Sequence, residues 1–182
     1  NTALMEAILN NQTEIAKQIL NRDDGGVNIK NQYGATALIY AIINNQPEIA
    51  MKILDKAGID VNLQNKDDNT ALIEAIVNNQ PEIVTKTLDK TGIDVNIQNK
   101  EGDTALMVAI AKNQPEIVTQ ILDKDGVDVN LQHKDGDTAL IFAIAKNQPD
   151  IATKILEKVG IDINLQDIKG LTALMVAIMK NQ

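Results

Sequence analysis

Residues 36–50 read "TALIYAIINNQPEIA", and the order of these letters specifies two helices and the turn between them. Ala37, Leu38, Ala41 and Ile42 fall at i, i+1, i+4 and i+5, which lines one face of a helix. Thr36 precedes that stripe, where a hydroxyl can accept a backbone N–H left unpaired by the first turn. The stripe stops at Asn44-Asn45-Gln46, and Pro47 follows. Proline lacks an N–H and fixes φ, so it suits the first turn of a new helix and not the middle of an old one. Asn45 is the residue type that, glycine apart, most readily enters the left-handed conformation of a tight helix exit. Ile49, Ala50, Ile53 and Leu54 then form a second stripe.

The phrase recurs along the chain. Thr2, Thr36, Thr70, Thr104, Thr138 and Thr172 each open T-A-L-[MI] at intervals of 34 residues, giving five full units and the start of a sixth. Asn45 has counterparts at Asn11, Asn79, Asn113, Asn147 and Asn181. Glu48 with Lys52, and Glu82 with Lys86, are spaced for i,i+4 ion pairs on the outer face of the second helix. Gly58, Gly92, Gly126 and Gly160 stand where C-cap glycines would end that helix. Each is followed by D-[VI]-N, read as a short extended piece, and by a polar tip such as "LQNKDDN". The unit is therefore helix, turn, helix and protruding finger. One such unit has apolar faces it cannot bury alone, so neighbours must stack. The expected fold is an all-α repeat solenoid over residues 1–182, with units starting near 2, 36, 70, 104, 138 and 172 and hairpin-like fingers.

Composition agrees with thin, uniform layers. Hydrophobic residues make up 44% of the 182-residue chain but aromatics only 2%, whereas a compact core of this size normally uses aromatics at its centre. With no cysteine, disulfides, thiolate metal sites and cysteine nucleophiles are excluded together. A net charge of −8 argues against nucleic acid as the main partner, since backbone binding needs a basic face. No apolar run approaches the ~20 residues that span a bilayer, and no signal-peptide pattern opens the chain. An intracellular setting is expected. The chain starts at Asn1 without Met, which leaves room for segments upstream.

These phrases resemble the ankyrin repeat family over the whole chain. T-A-L-I-x-A stands where that family has T-P-L-H-x-A, P-E-I-[VA] opens the second helix, and G-x-D-V-N leads into the finger. The sequence departs from the family pattern in several columns. Ala37 and its equivalents replace a proline, and Met5, Ile39, Ile73, Met107, Ile141 and Met175 replace a histidine. The family histidine ties adjacent repeats by hydrogen bonds, so stacking is expected to lean more on apolar packing. Asn45 and its equivalents replace a glycine. The period is one residue longer, the extra residue falling near Asp55-Lys56-Ala57, and the first unit is irregular there, with Asp24 where Gly58 sits in the second. Neither end carries a polar capping variant. Either the chain belongs to a longer array or its ends are sticky, and the expectation includes self-association through them.

No catalytic pattern emerges. The single histidine, His133, takes the place of Asn31, Asn65, Asn99 and Asp167 in other units and reads as an exposed fingertip residue. "DKDGVD" at 123–128 faintly suggests a calcium loop, but its glycine is at the fourth position and no glutamate closes it. Phosphate-cradling glycine motifs are absent, and no cofactor or metal is expected. Asn62, Asn96, Asn130 and Asn164 follow an aspartate by two residues, similar to ankyrin asparagines that intracellular hydroxylases modify. The competing reading is that these amides brace the finger backbone.

Function is sought in the columns that vary. In the resembled family, partners bind the concave surface formed by the fingers and the exposed side of the first helix. The varying columns include Glu6, Tyr40, Glu74, Val108, Phe142 and Val176, then Leu9 through Ile43 to Met179, and Asn44 through Lys112 to Lys180. Fingertip columns contain Tyr33, Lys66, Lys100 and Ile168, and Leu171 precedes a Thr. All three aromatics, Tyr33, Tyr40 and Phe142, lie in these columns, and aromatics are favoured interface anchors. The expected footprint draws on Tyr33, Tyr40, Ile43, Asn44, Lys66, Glu74, Lys100, Val108, Phe142, Ile168 and Leu171 in a right-handed-turning stack that binds another protein. Two alternatives are a spacer or consensus-like scaffold without a dedicated partner, and an accessory targeting domain of a larger protein.

Overall fold

The structure is a computed structural model that describes residues 1–22 and 26–180, so the expectations placed on Asp24, Asn181 and Gln182 lie outside the described residues. Among the described residues are eleven helices and no β-strand. The chain divides into two compact units, 1–94 and 95–182. The first holds α1 (Ala3–Leu9), α2 (Thr13–Arg22), α3 (Ala37–Ile43), α4 (Pro47–Leu54), α5 (Ala71–Val77) and α6 (Pro81–Leu88). The second holds α7 (Ala105–Ala111), α8 (Pro115–Leu122), α9 (Ala139–Ala145), α10 (Pro149–Leu156) and α11 (Ala173–Lys180). In the first unit α1 packs on α2, α3 on α4 and α5 on α6, and successive pairs stack. In the second, α7 packs on α8 and α9 on α10, with α11 stacked on α9.

The local signals act as the sequence predicts. Thr36 Oγ1 accepts from the Ile39 N–H at 3.3 Å, and Thr2, Thr70, Thr104, Thr138 and Thr172 cap their helices the same way. Such a cap contributes about 1 kcal/mol. Asn45 has φ +51°, with Asn11, Asn79, Asn113 and Asn147 alike. Its N–H reaches the Ile42 carbonyl at 3.0 Å and the Gln46 N–H reaches that of Ala41 at 2.8 Å, the paired bonds of a Schellman exit. Pro47 starts α4. Leu38, Ile42, Ile49, Ile53 and Leu54 are fully buried.

Three expectations need correction. The glycines do not end the second helices. The α4 helix ends at Leu54 with Asp55 as its cap, and Gly58 (φ +72°) occupies the third position of a separate turn closed by Ile59 N–H to Lys56 O. D-[VI]-N is a turn and not an extended piece, because Asp60 Oδ1 accepts from the Asn62 N–H two residues on, at 3.0 Å. In place of the expected i,i+4 pairs, Lys17 bonds Glu48 of the next repeat at 2.7 Å and Lys86 bonds Asp55 of the preceding one at 2.6 Å, and Lys17 also bonds Glu14 within α2 at 2.9 Å. The first raises Lys17 above its ordinary pKa, and Lys86 lowers that of Asp55.

Stacking also relies on polar ties from columns other than the missing histidine. Gln46 Nε2 donates to the Ile8 carbonyl of the preceding repeat at 2.7 Å, and Gln80 and Gln148 repeat the bond to Ile42 and Ile110. Lys56 and Lys158 donate to the carbonyls of Leu20 and Leu122. Asn62 forms a two-pronged bracket: its Nδ2 donates to Gly92 O at 2.7 Å, and its Oδ1 accepts from Asp94 N–H at 3.0 Å. Asn28, Asn96 and Asn130 make the same bracket. The apolar layers remain, but a polar ladder runs beside them.

The heptapeptide TALMVAI occurs twice in the second unit, at 104–110 and 172–178. In the first copy Leu106 and Ile110 are 2% and 0% exposed, under α8 and α9. In the second, Leu174 and Ile178 are 68% and 65% exposed.

Candidate protein-binding surfaces

Each finger is closed by one short side chain. Asn31 Oδ1 accepts from the N–H groups of Tyr33 and Ala35 at 2.9 and 3.1 Å, while the Asn31 N–H bonds the Ala35 carbonyl. Asn65, Asn99 and Asp167 do the same in their fingers. In the first unit the fingertips are joined by Lys66 N–H to Tyr33 O, and in the second by Lys134 N–H to Glu101 O and Ile168 N–H to Asp135 O.

In the first unit these elements enclose a depression of about 300 Å³ lined by Tyr33, Ala35, Tyr40, Ile43, Asn65, Lys66, Asp67 and Glu74. Tyr33 (49% exposed) and Ile43 (46%) form its open rim. The Lys66 ammonium lies 5.6 Å from the Tyr33 ring centroid, a cation–π contact that steadies both side chains at the lip. Tyr40 is half-buried, and its hydroxyl accepts from Asn31 Nδ2 at 2.7 Å. Glu74 is buried, with Oε1 accepting from Asn65 and Asn69 amides at 3.0 and 2.9 Å. Asn44 is exposed and donates from its side chain to the Tyr40 carbonyl, a cap that Asn10 and Asn78 repeat. Tyr33, Tyr40, Ile43, Lys66 and Glu74 thus come together, with Asn44 at the end of α3.

In the second unit Phe142 is half-buried and meets the His133 ring edge-on at 4.9 Å between centroids. His133 is not an exposed fingertip residue, for its side chain is only 13% exposed. Its Nδ1 accepts from the Asp137 N–H at 3.1 Å, the bond an asparagine or aspartate oxygen makes in the other fingers. Ile168 is exposed, Leu171 is half-buried, Lys100 is exposed and Val108 is buried. Burial pushes the carboxyls of Asp103 and Asp137 above their ordinary pKa, and Asp103 Oδ1 is buried without a hydrogen-bond partner.

The varying first-helix column therefore pairs with the finger base nine residues earlier: Asn31 with Tyr40, Asn65 with Glu74, His133 with Phe142. The sequence taken column by column does not disclose that pairing. A matched reading of positions nine apart would have exposed it. The asparagine column likewise has both amide ends engaged at Asn62, Asn96 and Asn130, while Asn164 is exposed. Among the described residues no three His, Cys, Asp or Glu side chains converge as a metal site would require, and no helix is long and apolar enough to cross a membrane.

Compared with known proteins, a family model for ankyrin repeats, three copies long, matches residues 1–65, 48–133, 72–167 and 111–182. The crystal structure of EF0377, an ankyrin repeat protein, is 32% identical with a TM-score of 0.84, over 98% of this chain and 92% of that one. An ankyrin repeat domain from Acinetobacter baumannii AYE is 30% identical with a TM-score of 0.82, over 98% and 91%. A chain in the complex of the predatory endopeptidase Bd0816 of Bdellovibrio bacteriovorus with the immunity protein Bd3460 is 28% identical with a TM-score of 0.77, over 100% and 93%. Among curated protein sequences none matches.

Proposed function

Because the chain belongs to the ankyrin repeat family, we propose that it is a protein-interaction module that holds a partner against the Tyr33–Tyr40–Ile43 depression of its first unit. The observation that carries this reading is the rim itself. Tyr33 and Ile43 keep about half their surface in water, and their side chains fill no place in the helix layers. An aromatic and an aliphatic residue beside a cavity supply the apolar anchor that interfaces use, with Lys66 and Asp67 as the polar margin. Glu74 shapes the floor, and Tyr40 is held in place by Asn31. Phe142, Ile168 and Leu171 offer a smaller surface in the second unit. The similar chain from the Bdellovibrio complex belongs to a protein–protein assembly, which supports the reading. The mechanism is rigid presentation, with no catalytic step, and an intracellular setting is part of the proposal.

The test is affinity capture from cells that express the protein, with the native chain and a Tyr33→Ala/Ile43→Ser variant of equal helix content by circular dichroism. A protein retained by the first and lost by the second is the expected result. Identical captures would overturn the footprint.

A second reading, a spacer without a dedicated partner, is favoured by the scaffold roles of Tyr40, Glu74 and Phe142. Under it, capture returns nothing above an unrelated repeat protein. Hydroxylation of Asn62, Asn96, Asn130 or Asn164 is a separate proposal. Intact-mass measurement on natively produced protein tests it, and an unmodified mass would end it.

A further inference from the structure

Glu74 occupies a column whose other members include Tyr40, Val108 and Phe142. It is only 8% exposed, yet it lines the Tyr33–Tyr40–Ile43 depression. Its two hydrogen bonds, from the Asn65 and Asn69 amides, both end on Oε1. Among the described residues no group donates to Oε2, and no cationic side chain pairs with this carboxylate. A carboxylate withdrawn from water is costly to hold until an opposite charge meets it. The aromatic side of the depression is ready for the same charge. Tyrosine faces attract cations, and the Tyr33 ring already has the Lys66 ammonium 5.6 Å from its centroid. Asp67 brings the carboxylates of the lining to two against that one ammonium.

With the depression taken as the partner site, as proposed above, we infer that it receives an arginine side chain of the partner protein. The guanidinium meets Glu74 Oε2, and the aliphatic stem lies against Ile43 and Ala35. A guanidinium fits this lining better than an ammonium. It is planar and weakly hydrated, so it stacks on a tyrosine face while its N–H fork reaches a carboxylate. An anionic group would meet Glu74 and Asp67 as like charges. The depression, about 300 Å³, has room for one such side chain. The site is also single in sequence, since nowhere else in this column does an acid follow an aromatic residue one repeat on. One arginine per chain is therefore read, by two rings and one buried charge.

The probe is Nα-acetyl-arginine amide, titrated into the isotopically labelled 182-residue chain and followed at the amide resonances of Tyr33, Ala35, Tyr40 and Ile43. Saturable shifts with a Kd of about 1–10 mM are expected for a lone side chain. The citrulline analogue, of the same shape but uncharged, should bind at least about tenfold more weakly. Glu74→Gln keeps an oxygen for the Asn65 and Asn69 amides and loses the charge, so it should show the same loss, with a circular dichroism melt to check its fold. Absence of saturation, equal binding of citrulline, or undiminished binding by Glu74→Gln overturns the proposal. Equal binding of Nα-acetyl-lysine amide overturns the choice of guanidinium. Affinity capture separates this from the footprint itself. A partner lost by Tyr33→Ala/Ile43→Ser but retained by Glu74→Gln leaves the footprint standing and overturns the arginine.

Discussion

The segments 104–110 and 172–178 carry the same seven residues, and one is core while the other is surface. Identical sequence has identical propensity, so the difference lies wholly in what is stacked against it. In a repeat array a residue's burial belongs to the joint between units and not to the unit. Substitutions made in pairs, one at a covered joint and one at its counterpart 34 or 68 residues on, test that statement in the 182-residue chain.

Ile110→Ala leaves a cavity under α8 and α9 and should cost about 2–5 kcal/mol in urea denaturation, whereas Ile178→Ala should stay within about 0.5 kcal/mol. Equal losses would break the comparison. Gly136 has φ +82° and a Cβ there would lie 2.8 Å from Asp167 Cα, so Gly136→Ala should cost roughly 2–4 kcal/mol. Gly170 has φ +77° with nothing within 4 Å, so Gly170→Ala should cost only the left-handed strain, about 1 kcal/mol. Asn130→Ala removes both prongs of a bracket and should cost about 1–2 kcal/mol, with Asn164→Ala near neutral by the same melt.

The smallest effect is electrostatic. Burial raises the carboxyls of Asp103 and Asp137, so the folded chain holds protons that the unfolded chain has released. Their stabilising contribution is complete below the unfolded value and is lost as pH rises through the folded one. Asp103→Asn should therefore raise the thermal midpoint at pH 7, with the gain fading as pH falls toward about 4. A gain that persists in acid would assign the effect to shape instead of charge.

What the sequence disclosed was local. Thr36 caps a residue three positions on, Asn45 bonds within its own helix end, and Pro47 acts where it stands, so period and helix boundaries were readable. Contacts between units were not. Gln46 reaches Ile8 from 38 residues away, and a glutamine repeated unchanged in the other units gives no contrast by which to notice it. His133 was misread because its column looked variable, although Asn31, Asn65, Asn99, His133 and Asp167 all present an acceptor close to the backbone. The groove was half legible. Tyr33 and Ile43 stand on its rim, while Tyr40 and Glu74 also answer to the finger base behind them.

The asparagine brackets have a genetic consequence. Asn28, Asn62, Asn96 and Asn130 each reach forward by the same two bonds to a glycine carbonyl and an aspartate N–H. Recombination that removes or adds 34 codons in register brings one such edge to another of its kind. The gene can change length by whole units without having to invent a new junction.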